Sequence, residues 1–300
     1  MSSIYSQKSY LSGQHVIKHD QEELNKAFME ILNKGIHGIS FSAYLEGQQP
    51  GSILSEEQIE VRMKILQPHV KWVRSFSCVD GNELIPKVAR KYGIKTLVGA
   101  WIGDDKEKNE EEILGVIEVA KKGYADIVAI GNEVLLRGDL TEDEIIKYMQ
   151  RVKQEVTDIP VGYVDAYYEF VNHPRLVKVC DVIMANCYPF WEGYPNEHSL
   201  AYMKNMYYLA KEAAKGKKVI ISETGWPNVG TPDREAVPSY ENAMRYFINT
   251  YSWADMAKID VFYFSSFDET WKIEKEGDVG AYWGLWDKDG RLKFGQPKTD

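Results

Sequence analysis

Short apolar runs rich in Val, Ile and Phe alternate along this chain with longer segments of helical periodicity, the pattern of repeated βα units around a parallel sheet. Eight runs read as strands, at 38–42, 72–77, 96–101, 126–131, 161–165, 182–186, 218–222 and 261–265. Between them, segments such as SEEQIEVRMKIL, NEEEILGVIEVAKKG and TEDEIIKYMQRVKQEV open on Ser55, Asn109 and Thr141 with acids close behind, as helix starts do. A further helix is predicted over 21–34, before the first strand, where it could close the barrel bottom or cover its side. Eight strands in alternation with helices favour closure into a (β/α)8 TIM barrel, an α/β fold, over an open sheet. A doubly wound sheet is the alternative, but no GxGxxG follows the first strand and no P-loop occurs. No linker or composition shift divides the chain, so residues 1–300 are expected to form a single domain, with 1–20 as an N-terminal extension.

Composition narrows the function. The net charge of -9 would repel nucleic acid and anionic membrane, so a neutral or small partner is expected. No membrane partner is predicted, and a monomer is expected. The N-terminus has no apolar signal-like run, so the chain reads as soluble as written; its compartment stays open, because a leader could have been removed. The three cysteines lack a metal-like spacing and read as reduced thiols. The six histidines are scattered, and DDKEKNEEE lacks the spacing of a calcium loop, so neither a metal nor another cofactor is predicted.

Barrel enzymes carry their chemistry at the C-terminal ends of strands. The fourth run passes directly into Asn132 and Glu133, and the seventh into Ser222, Glu223 and Thr224. Two carboxylates converging on one cleft are what glycoside hydrolysis needs, one protonated to release the leaving oxygen and one ionised to attack or to activate water. Rim ion pairs would be the bland alternative. Trp226, Trp271, Trp283, Trp191 and Trp101 also fall near strand ends, where an indole can stack on a sugar; Trp226 and Trp271 are the two preferred as platforms.

IGNE at Glu133, ISETGWP at Glu223, ANCYPF at Tyr188 and FDETWK at Glu269 and Lys272 occur in one order. From about Gly38 to Phe294 the sequence resembles glycoside hydrolase family 17, the β-1,3-glucanases and glucanosyltransferases of clan A, and it is read as a bacterial-type member. The resemblance implies Glu133 as acid/base and Glu223 as nucleophile of a retaining reaction on β-glucan or a gluco-oligosaccharide. It further implies that Tyr188 bonds the nucleophile, that Arg74 lies beneath it, and that Glu269 and Lys272 line the subsite of the sugar being cleaved. Asn132 is expected to hold the sugar 2-OH. EKEGDVGAYWGLW departs from the plant enzymes; Glu276 is its nearest candidate carboxylate, with its role left open. A glucanosyltransferase would use the same residues. A non-catalytic carbohydrate-binding barrel would be expected to lose a carboxylate, and a phosphate-metabolite enzyme would want a Gly-rich site after the last two strands.

Overall fold

The computed structural model describes residues 20–295. Eight parallel strands close into a barrel in sequence order: β1 (Ile36–Ser40), β2 (Val70–Ser75), β3 (Lys95–Ala100), β4 (Ile127–Asn132), β5 (Val161–Ala166), β6 (Val182–Asn186), β7 (Lys218–Thr224) and β8 (Val261–Tyr263). Around it run α1 (Gln21–Lys34), α2 (Glu56–Leu66), α3 (Leu84–Lys91), α4 (Lys106–Lys121), α5 (Val134–Arg137), α6 (Glu142–Glu155), α7 (Tyr167–Asn172), α8 (Pro174–Val179), α9 (Asn196–Ala213), α10 (Tyr240–Ala257) and α11 (Ile273–Glu276). Apart from Asp20, the expected N-terminal extension lies outside the described residues. No described helix is long and apolar enough to cross a membrane.

The strand period of two sorts side chains into two cores. Leu97, Ile127, Ala129, Val164, Val182, Met184, Ile220 and Phe262 pack together inside the barrel. Their neighbours Val98, Val128, Ile130, Ile183, Val219 and Ile221 join the layer beneath the helices. By this parity Arg74 on β2 and Asn186 on β6 point inward, toward the mouth.

The helix starts follow local chemistry. Asp20, Ser55 and Thr141 each close a capping box on α1, α2 and α6, a device that contributes about 1 kcal/mol apiece. The predicted start at Asn109 is wrong: α4 begins at Lys106, because the Asp105 carboxylate takes the N–H groups of Glu107 and Lys108, both at 3.1 Å. The first helix covers the barrel's side, with Phe28 of α1 packed on Phe247 of α10 at 4.6 Å between centroids.

Candidate active site

Parity alone would turn Glu223 outward, since Ile220 and Ser222 are its inward neighbours. The β6–β7 ladder slips there, pairing Ala185 with Ile221 but Asn186 with Glu223. An extra residue in one strand re-aims the side chains beyond it, and Glu223 turns into the mouth. The β4–β5 ladder slips in the same way between Ala129 and Asn132. That slip contains Gly131 at φ +88°, a backbone angle suited to glycine, followed by Glu133 at φ +53°. A non-glycine residue in that region carries strain of about 1–3 kcal/mol, and such strain concentrates at functional sites.

The turn at Glu133 is held from outside the barrel. Leu135 N–H donates to the Tyr163 hydroxyl at 3.0 Å and to Asp165 at 3.1 Å, and Tyr163 in turn donates to Asp165. Burial raises the Asp165 carboxyl to about 6.

The two glutamates sit in opposite surroundings. Glu223 is buried, with one oxygen accepting from Arg74 Nη1 at 2.5 Å and the other from the Tyr188 hydroxyl at 2.7 Å. Arg74 reaches on with Nη2 to Asn132 Oδ1 at 2.7 Å. That contact fixes the Asn132 amide, so its Nδ2 is the donor left for the cleft. Glu133, half-buried, has no cation against it; its Oε1 accepts from Asn186 Nδ2 at 2.8 Å, while Asn186 Oδ1 accepts from Ser222 Oγ at 2.8 Å. Burial, and then the negative charge of Glu223, push the Glu133 carboxyl up to about 7. The Tyr188 hydroxyl is held protonated far above its ordinary range by burial and by the same Glu223 charge.

Past β8, Glu269 and Lys272 form a buried ion pair at 2.7 Å. Trp271 Nε1 donates to the other Glu269 oxygen at 3.1 Å, and Lys272 Nζ lies 4.1 Å from the Phe264 ring centroid. Glu276 joins the same wall, its carboxyl raised chiefly by burial. Together these groups border an open cleft of about 530 Å³, whose aromatic lining is Phe41, Tyr44, Phe76, Trp101, Phe264 and Trp271.

The structure therefore gathers Asn132, Glu133, Glu223, Glu269, Trp271 and Lys272 on one cleft, with Arg74 and Tyr188 bound to Glu223. It does not bring Trp226 there. That side chain is 1% exposed, packed on Phe190 and Tyr246, with Nε1 donating to the Val237 carbonyl at 3.0 Å. The reason is close approach of backbone: a Cβ on Gly225 would lie 2.0 Å from the Phe264 carbonyl oxygen, so the chain leaving β7 is pressed against the segment after β8 and Trp226 turns into the protein. Trp283 is likewise buried, and Trp191 lies outside the cleft lining. Asn186, which bonds Glu133, was not singled out from the sequence, and Trp101, which lines the cleft, was named there only as one of five tryptophans near strand ends. Asn186 stands inside ANCYPF, and its inward parity with Val182 and Met184 was the available signal. Trp101 ends the third predicted strand, but nothing in the sequence ranked it above the other tryptophans. No group of His, Cys, Asp and Glu able to hold a metal ion occurs among the described residues.

A family model described as the BtgE/BtgC glycoside hydrolase domain matches residues 38–284. The chain is 26% identical over 268 residues to a glucan 1,3-beta-glucosidase of Arthroderma benhamiae, covering 81% of this chain and 85% of that protein. A glucan 1,3-beta-glucosidase of Saccharomyces cerevisiae is 25% identical over 269 residues, covering 81% and 86%. Among solved structures, an active-site mutant of Rhizomucor miehei beta-1,3-glucanosyltransferase in complex with laminaritriose superimposes with a TM-score of 0.80 at 28% identity, covering 88% of this chain and 98% of that one. These relatives are fungal and lend no support to the bacterial-type reading.

Proposed function

The chain belongs to the BtgE/BtgC glycoside hydrolase domain family, and on that premise we propose that it cleaves β-1,3-glucan with retention, Glu223 attacking and Glu133 moving the proton. The observation that carries the reading is the contrast between the two carboxyls: one paired with a guanidinium and a phenol, the other held where its proton is kept to about pH 7. In the first step Glu133 gives its proton to the glycosidic oxygen as a Glu223 oxygen bonds the anomeric carbon and the leaving chain departs. Forming the ester removes the charge on Glu223, one of the causes that hold the Glu133 proton, so Glu133 is then suited to act as base. It takes a proton from the attacking hydroxyl, whose oxygen replaces the ester. The Asn132 Nδ2 donor is placed to hold a sugar hydroxyl as charge develops on the ring.

Hydrolysis and glucanosyl transfer differ only in whether water or a sugar hydroxyl resolves the ester, and the relatives bear names of both kinds. A purely carbohydrate-binding role is disfavoured, because both carboxyls and their partners are retained. The substrate reading is tested by a product time course on laminarihexaose beside cellohexaose. Laminari-oligosaccharide products are expected, with chains longer than the substrate if transfer competes. Turnover of the β-1,4 chain alone would overturn the β-1,3 assignment.

A further inference from the structure

Asn109 and Glu112 lie one turn apart on α4, both polar and both fully buried. Such groups are costly unless their polar atoms are partnered, and here the partners belong to the two loops that follow β2 and β3. Asn109 holds Gly103 from both sides, accepting from its N–H at 2.8 Å and donating to its carbonyl at 2.7 Å. Glu112 accepts from the Ser77 hydroxyl at 2.5 Å, from Cys78 N–H at 2.7 Å and from the backbone N–H of Trp101.

The residue these contacts fix in place is an aromatic facing the cleft. Trp101 is 39% exposed, and it lines the cleft. One face of its indole is met by Arg137, with the guanidinium carbon 4.7 Å from the ring centroid. Arg137 Nε donates to Asp139 at 2.7 Å, Nη2 to the Ile102 carbonyl at 3.2 Å, and Nη1 to the Asn132 carbonyl. One guanidinium thus ties the Trp101 loop to the strand end that carries Asn132 and Glu133.

We propose that Trp101 is a sugar platform on the wall of the cleft built by the loops after β3 and β4, and that Asn109 and Glu112 are positioning residues that hold it there. The proposal rests on the glucan reading above. The free indole area takes the C–H face of a glucosyl ring, while the Asp104 and Asp139 carboxylates on the same wall accept from its hydroxyls. Because the loops are clamped before substrate arrives, little ordering cost is left to binding. A chain with a glucosyl ring on this wall gains from it, and a shorter chain that leaves the wall empty does not.

The test compares kcat and KM on laminarihexaose and on the shortest laminari-oligosaccharide turned over, for wild type, Trp101→Ala, Glu112→Ala and Glu112→Gln. Trp101→Ala is expected to raise KM for the long chain about tenfold, as loss of one aromatic contact would, and to raise it for the long chain more than for the short one, so that the long-to-short ratio of kcat/KM falls. Glu112→Ala should move the long-to-short ratio in the same direction. Glu112→Gln keeps the side chain's volume and one acceptor oxygen, so it should recover part of that loss; it also carries the expectation if Glu112→Ala gives no cooperative melt. An unchanged ratio in Trp101→Ala overturns the platform. A ratio altered by Trp101→Ala but by neither folded Glu112 variant overturns the positioning role. A wild-type protein that turns over no laminari-oligosaccharide sinks the glucan reading instead.

Discussion

Glu223→Ala is expected to lower turnover of laminari-oligosaccharides by at least about four orders of magnitude, the scale of losing a covalent nucleophile. The substitution also leaves the Arg74 guanidinium buried without its 2.5 Å partner and frees the Tyr188 hydroxyl. Removing one half of a buried ion pair typically costs about 3–5 kcal/mol of stability, so loss of activity in that variant alone would be ambiguous. Glu223→Gln separates the effects. Its amide oxygen can still accept from Arg74, and its NH2 can donate to the Tyr188 oxygen, so the fold should be nearly unchanged while activity is equally lost. In Glu223→Ala, azide can enter the vacated space beside Arg74 and attack an activated β-glucoside, giving the α-glycosyl azide. Near-wild-type turnover in either variant, measured with thermal melting as the control, would remove Glu223 from the reaction.

Glu133→Ala is expected to remove the alkaline limb of the kcat/KM profile, which in the wild type should fall as pH rises through about 7. Turnover of unactivated glucan should fall by about 10²–10⁴, and aryl glucosides with good leaving groups should be spared in the glycosylation step. Stability supplies an independent readout of the same proton. Because the folded carboxyl titrates near 7, above its ordinary 4.5, its favourable contribution is complete below about 4.5 and lost as pH rises through 7. Glu133→Gln, which cannot ionise, should match the wild type in acid and melt higher above pH 7, by an amount on the order of 1–2 kcal/mol after allowing for partial exposure. An active Glu133→Ala protein with an unchanged pH profile would contradict the role.

How much of this could be read before the fold was known depended on what each signal encodes. Periodicity encodes which segments are strands, and Glu133 and Glu223 stood out as polar residues ending apolar runs. Periodicity does not encode ladder slips, which arise between neighbouring strands, yet one such slip turns Glu223 into the mouth and another underlies the strained turn at Glu133. Trp226 shows the limit of reasoning from proximity: three residues past Glu223, it is turned inward by the contact at Gly225. Asn186 shows the opposite case, a partner of Glu133 whose direction the alternation of β6 already implied. The start of α4 turned on which of two side chains could cap it, and Asn109 is engaged instead with Gly103.

The most direct measurement on the central claim is the anomeric configuration of the first-formed products, followed by proton NMR from the start of laminarihexaose cleavage. Double displacement through Glu223 predicts that each new reducing end appears first as the β-anomer and mutarotates afterwards, and that any transfer product keeps β linkages. Initial appearance of the α-anomer would mean single displacement by water, and would contradict the assignment of Glu223 as nucleophile.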